Sequence, residues 1–186
     1  NEPMGGRDPY SSSKGCAELV SSAYGRSFFQ DDGIGLATAR AGNVIGGGDW
    51  AKDRLIPDLL NDLERGRALQ IRNPNATRPW QHVLESLAGY LTLCEKMVEK
   101  PDQFSEAWNF GASDVDAQPV RVLVNTMVSN WQKPASWRVD DSGQPHEAKL
   151  LKLDCSKAIK YLNWTSVWGL TQCLDETTNW YRAWHQ

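Results

Sequence analysis

Histidine and methionine are scarce, three of each in 186 residues, and cysteine numbers four. The four thiols, Cys16, Cys94, Cys155 and Cys173, are scattered, with no C-x-x-C pair and no histidine cluster beside them. That spacing argues against a metal site. It favours reduced, partly buried thiols of a cytoplasmic protein over a disulfide framework. No stretch of ~20 apolar residues occurs, so no membrane-spanning helix is expected. Positive charge is not in excess either. Against 23 acidic residues stand 20 lysines and arginines, a net charge of −3 with no basic footprint for nucleic acid or a membrane surface. Also missing are a G-x-G-x-x-G turn, an initiator methionine and the organisation of a signal peptide. The first residues, Asn1 to Gly6, therefore read as the interior of a longer protein.

What is present suits one good-sized domain with a real core, since 40% of residues are hydrophobic and 23% charged. Nine tryptophans, most of them beyond position 130, read as core or interface anchors. Asp8 and Pro9 form an N-cap and first helical turn. The helix runs toward Phe28, with Cys16, Leu19, Val20, Ala23, Tyr24 and Phe28 spaced to form one buried face. Ile34 to Arg40 reads as a strand covered on both sides, running into a loop of Gly42, Asn43 and Gly46-Gly47-Gly48. Helix, turn, strand and glycine-rich loop make the rhythm of an open α/β sheet, whose ligands gather at the carboxyl ends of strands.

Further along, a helix begins near Arg54-Leu55-Ile56-Pro57, with Ile56, Leu59, Leu60 and Leu63 inward and Gly66 as its stop. Leu69 to Arg72 is a short strand, and Asn73 to Pro79 a polar loop. Val83 to Glu99 is a long helix whose predicted inward face is Leu84, Leu87, Ala88, Leu91, Cys94 and Val98. A buried strand spans Ala107 to Gly111. The stretch Val120 to Trp131 is helical, with Leu123, Val124, Met127 and Val128 inward. Strands are expected at Ser136 to Val139 and Lys149 to Leu153. Asp154 caps a short helix, and Gly169 leads into a last helix ending at Trp184.

The heptapeptide Asp8-Pro9-Tyr10-Ser11-Ser12-Ser13-Lys14 carries the chemistry. Residues four apart on a helix stand on one face. A phenol is a poor base near neutral pH, and a nearby ammonium favours the phenolate. Such a pair can take a proton from a sugar hydroxyl while hydride leaves the same carbon. The bare Tyr-x-x-x-Lys pattern is common in helices. Here three small serines leave room for a ligand, and the polar Gly42-Asn43 loop supplies a far wall.

Four segments in order, residues 8–14, Ala39-Arg40-Ala41-Gly42-Asn43-Val44-Ile45-Gly46, Arg78-Pro79-Trp80-Gln81-His82-Val83 and Trp108-Asn109-Phe110-Gly111, resemble landmarks of the extended short-chain dehydrogenase/reductase family. The closing Leu162-Asn163-Trp164, Gly169-Leu170 and Trp180-Tyr181 are similar to the end of its nucleotide-sugar members. Within the family, Lys14 to Glu18, Gly46 to Asp58 and Arg78 to Val83 are most similar to 4,6-dehydratases of CDP-glucose.

The resemblance implies an α/β fold: the C-terminal part of a Rossmann-type doubly wound parallel sheet plus a smaller mixed α/β substrate-binding domain. The division expected is 1–46 with 79–112 for the NAD-binding part, and 47–78 with 113–186 for the substrate part. Tyr10 would be the base and Lys14 its partner on the nicotinamide ribose of NAD. Main-chain groups of Ala41 and Gly42 would pass the nicotinamide. Asn43 would hydrogen-bond the sugar diphosphate, and Arg54 and Leu55 would border the nucleotide. Gln70 and Arg72 would lie along the base, Arg78 would bind phosphate, and Asn109 would line the same pocket. An arginine's planar fork suits phosphate. Arg54 and Arg72 remain open between that role and plain surface charge. Arg40 reads as a buried strand-end ion pair, His82 as packing under Arg78, and His146 as a loop histidine. Many family members clamp the diphosphate with an arginine after that loop; Ala148 and Lys149 stand there, so no clamp is assigned.

Gly46-Gly47-Gly48 has neither the spacing nor the position of a pyrophosphate turn. The chain thus reads as the C-terminal portion of an NAD-dependent lyase, inactive alone, forming a homodimer or homotetramer in the intact protein. Two rivals stay open. One is a sibling epimerase, decarboxylase or other dehydratase; the other is a non-catalytic nucleotide-sugar binding or dimerisation fragment.

Overall fold

Asp8 opens the fold as its composition suggests. Its carboxylate accepts from Ser11 N at 2.9 Å and Ser11 Oγ at 2.6 Å, and Pro9 begins α1, Pro9–Tyr24. A π-helical turn, Gly25–Phe29, prolongs α1. The computed structural model describes residues 4–131, 136–140 and 152–185. After α1 come β1, Thr38–Ala41; β2, Asn43–Ile45; α2, Leu55–Glu64; β3, Leu69–Ile71; β4, Thr77–His82; and α3, Val83–Glu99. The short α4, Pro101–Phe104, precedes β5, Ala107–Phe110, and a 3-10 turn, Asp114–Asp116. Then follow β6, Ala117–Pro119; α5, Val120–Asn130; β7, Trp137–Val139; α6, Ser156–Leu162; and α7, Leu170–Trp184.

Among the described residues these form three small sheets: β1-β5 parallel, β2-β4-β6 with β2-β4 parallel and β4-β6 antiparallel, and β3-β7 parallel. Only Gly42 separates β1 from β2, so one extended run changes partner there. Arg40 pairs with Asn109 before it, and Asn43 pairs with Trp80 after it.

Two cores flank the switch. One gathers Ile56, Leu59, Leu60 and Leu63 of α2, Leu123, Val124 and Met127 of α5, and Leu174 and Tyr181 of α7. The other packs Trp108 and Phe110 against Leu93, Phe104, Ala158, Leu162 and Trp164. The predicted stripes of α2 and α5 are therefore inward, with Val128 partly so. Asp154 Oδ1 accepts from Ser156 N at 2.9 Å at the start of α6, and Gly66 ends α2 with a positive φ of 64°.

Several expectations need correction. α1 has no buried residue; Leu19, Val20, Tyr24 and Phe28 are exposed, since nothing among the described residues covers that face. α3 is turned: Glu85, Ser86, Gly89 and Leu93 face inward, while Leu84, Leu87, Ala88, Leu91, Cys94 and Val98 are exposed. The cause is close approach to Phe110, which only a glycine at position 89 permits. The supposed loop ending at Pro79 is in part β4, the central strand of its sheet. β1 is shorter than predicted, with residues 34–37 outside any strand. Of the strand expected at Lys149 to Leu153, residues 149–151 lie outside the described residues and 152–153 are not in a strand.

Candidate active site

Tyr10 sits in the first turn of α1, 71% exposed. Lys14 Nζ stands 5.5 Å from the centroid of its ring. Phenol and ammonium therefore share one face, at a distance typical of a cation over a π-face. One turn further along that face, Glu18 anchors the helix. Its carboxylate accepts from Thr38 Oγ1 at 2.7 Å and pairs with Arg40 Nε at 3.2 Å. The ion pair expected at Arg40 is thus present, but Arg40 is exposed rather than buried. Glu18 has no role in the sequence reading, although the steps of four from Tyr10 through Lys14 to Glu18 were a signal for it.

α1 runs antiparallel to β1, because Gly25 lies on Leu36 whereas Glu18 reaches Thr38 and Arg40. At 1.5 Å rise per residue, Lys14 lies about 6 Å and Tyr10 about 12 Å beyond Glu18, toward the carboxyl end of β1. Ala41 and Gly42 occupy that end, and both are half-buried. Gly42 has a specific reason to be glycine: a β-carbon would come within 2.8 Å of Pro79 O, a backbone atom that cannot yield. Asn43 starts β2 in register with Trp80 of β4, two residues beyond Arg78.

Arg78 is only 6% exposed, and its Nη1 donates to Thr77 O at 2.9 Å. Asn109 Nδ2 donates to Asp154 O at 3.0 Å, while its Oδ1 is buried with no hydrogen-bond partner among the described residues. Arg54 is exposed at the N-cap of α2, and Leu55 follows it half-buried. Gln70 and Arg72 are exposed. Gln70 lines a cavity of about 710 Å³ with Asp58, Asn61, Asp62, Arg67 and Arg138. None of the other predicted site residues lines that cavity, so Gln70 stands apart from them there.

His82 caps α3, its Nδ1 accepting from Leu84 N at 3.3 Å, and its ring packs 4.9 Å from Trp168. Burial holds its pKa below the usual imidazole value. Glu85, buried beside it, accepts from Val167 N at 2.8 Å and Trp168 N at 3.0 Å. These groups hold structure. His146, Ala148 and Lys149 lie outside the described residues. Among the described residues no group of His, Cys, Asp and Glu could hold a metal ion, and no helix is long and apolar enough to cross a membrane.

Residues 1–111 match the NAD dependent epimerase/dehydratase family. The chain belongs to that family. Among the family's proteins, the CDP-glucose 4,6-dehydratase of Salmonella typhimurium is 55% identical over 189 residues, covering 99% of this chain and 53% of its own length. The chain thus spans about half of that curated relative. Two solved structures share the fold. A dTDP-glucose 4,6-dehydratase from Bacillus anthracis in complex with NAD has TM-score 0.76 and 20% identity, covering 97% of this chain and 54% of its own. A UDP-glucuronic acid 4-epimerase from Bacillus cereus has TM-score 0.81 and 19% identity, covering 98% and 54%. The Rossmann-type α/β class expected from the sequence stands.

The family's dinucleotide would find suitable groups at one end of this chain. Tyr10 and Lys14 offer a phenol and an ammonium on an exposed face toward the strand switch. The glycine run at 46–48 offers no seat for the pyrophosphate, because a β-carbon on Gly47 would meet Trp180 at 2.2 Å and the space is already filled.

Proposed function

We propose that the intact protein is an NAD-dependent 4,6-dehydratase of CDP-glucose, and that this chain supplies its base and much of its nucleotide-sugar site. The placement of the Tyr10 phenol and Lys14 ammonium on one exposed helix face, toward the partner switch at Gly42, carries the reading. The 55% identity to a CDP-glucose 4,6-dehydratase supports the choice of nucleotide.

Tyr10 takes the proton of the C4 hydroxyl. Lys14 holds the nicotinamide ribose and favours the phenolate. Ala41 and Gly42 pass the nicotinamide with main-chain groups, Asn43 and Arg78 hold the diphosphate, and Asn109 lines the pocket. Arg54, Leu55, Gln70 and Arg72 border the nucleotide. When bound, NAD would supply the hydride exchange required by oxidation at C4 and reduction at C6, with water lost across C5 and C6 between them. The product, CDP-4-keto-6-deoxyglucose, serves deoxysugar and O-antigen synthesis in the cytoplasm. Residues 1–46 and 79–112 belong to the NAD-binding part, and 47–78 and 113–186 to the substrate part. The exposed apolar face of α1, with Leu19, Val20, Tyr24 and Phe28, supports a homodimer or homotetramer.

Incubating the intact protein with CDP-glucose tests the reading. The expected result is a 4-keto product with alkaline ultraviolet absorbance, abolished by Tyr10→Phe with the fold unchanged. Full turnover by that variant refutes the assignment of the base.

A further inference from the structure

Two sequence features have no part in the chemistry so far: the run Gly46-Gly47-Gly48-Asp49 and the aromatic end of α7. They meet in the structure. Tyr181 is fully buried. Its hydroxyl donates to Asp49 O at 2.6 Å and accepts from Asp49 N at 2.9 Å, so both backbone polar groups of one loop residue close on one phenol. Burial holds the Tyr181 pKa above the usual phenol value. Trp180 fills the space beside Gly47, where a β-carbon would lie 2.2 Å from the indole. Trp50 packs edge-on to the Tyr181 ring at 5.2 Å, and Trp180 and Trp184 stack 5.7 Å apart.

The loop held in this way is the covalent link between Asn43 and the pair Arg54 and Leu55. It ends at Asp53, in the left-handed region at φ 60° immediately before α2. Its course therefore sets the distance between a diphosphate ligand and the residues bordering the nucleotide. An unclamped loop would have to be ordered each time substrate binds, at a cost in affinity.

We propose that Tyr181 is a positioning residue for nucleotide-sugar binding, its hydroxyl fixing Asp49 and thereby the span from Asn43 to Arg54 and Leu55. This rests on the reading of Asn43, Arg54 and Leu55 as substrate ligands. The glycines then serve to admit an aromatic clamp from the C-terminal helix.

The test uses the intact protein, steady-state turnover of CDP-glucose, calorimetric binding of CDP, and thermal melts. Tyr181→Phe keeps the ring and removes the hydroxyl. The expected result is a KM about tenfold higher, kcat within about twofold, and CDP affinity reduced in proportion to the rise in KM, the pattern of lost uniform binding. Leu174→Ala, a core change on the same helix, controls for stability and should leave KM unchanged. Gly47→Ala, which displaces Trp180, should raise KM as Tyr181→Phe does, and it decides the matter if the phenylalanine variant does not fold. Unchanged KM in the folded variants, or an equal rise in Leu174→Ala, overturns the proposal alone. A parent protein that neither turns over CDP-glucose nor binds CDP overturns the functional reading and this proposal together.

Discussion

Replacing Gly89 by alanine tests which way α3 is turned. A β-carbon at this position would lie 2.3 Å from Phe110 Cδ1 and 2.7 Å from Cε1. Carbon atoms settle at about 3.5–4.0 Å, so the ring must retreat by more than an ångström. It has nowhere to go, being fully buried with Trp164 edge-on at 5.1 Å and Tyr90 at 5.4 Å. Overpacking of this kind costs about 1–3 kcal/mol. Alanine's helix propensity returns about 1 kcal/mol. The net expectation is a loss of up to about 2 kcal/mol, at most roughly 8 °C in Tm for a domain of this size. Thermal melts followed by circular dichroism read it directly, and Phe110→Leu in the same chain should relieve part of the loss. Leu91→Ala supplies the contrast. Leu91 is 66% exposed, so its truncation should change stability by less than about 0.5 kcal/mol. A Gly89→Ala chain that melts above the parent, with Leu91→Ala costing the 2–5 kcal/mol of a buried leucine, would put the inward face where hydropathy alone suggests.

His82 gives a pH dependence with a definite sign. The unfolded imidazole titrates near 6.5 and burial lowers the folded value, so the unfolded chain binds more protons in between. Stability is full above about pH 6.5 and is lost as pH falls below it; protonation of Nδ1 also removes the cap to Leu84 N. Melts from pH 7.5 to 5 should show the decline in the parent and a flatter profile in His82→Asn; identical profiles refute it. Thiol labelling at neutral pH should divide the cysteines. Cys16 and Cys94 are exposed and should react quickly, whereas Cys173 is buried with its thiol pushed up to about 11 and should react only on unfolding. A single rate for all the thiols contradicts that burial.

Capped and strongly periodic elements were legible in the sequence: Asp8-Pro9 for α1, and the stripes of α2 and α5. Their cause is local, a side-chain cap or a repeating apolar face. β4 was not legible, because Pro79 cannot donate to a ladder and Arg78, Gln81 and His82 are polar. It is nonetheless buried: Gln81 Nε2 donates to Phe110 O at 2.8 Å, a partner 29 positions away that no local pattern can signal. The phase of α3 was missed for a related reason. Its inward residues include Ser86 and Gly89, and Gly89 is kept small by the ring of Phe110 on β5. In the site, the Tyr10 and Lys14 pair was legible because their spacing is helical. Glu18 lies one helical step further on the same face, but its partners, Thr38 and Arg40, are distant in the chain and no local pattern names them.

The contact of Gly42 with Pro79 has a consequence for tolerance to change. One residue has no side chain and the other a rigid ring, so two main chains touch with nothing pliable between them. The separation of Asn43 from Arg78 is then dictated by peptide geometry rather than by how either hydrophobic interior is filled. Repacking in either interior then leaves the spacing between these two residues the same.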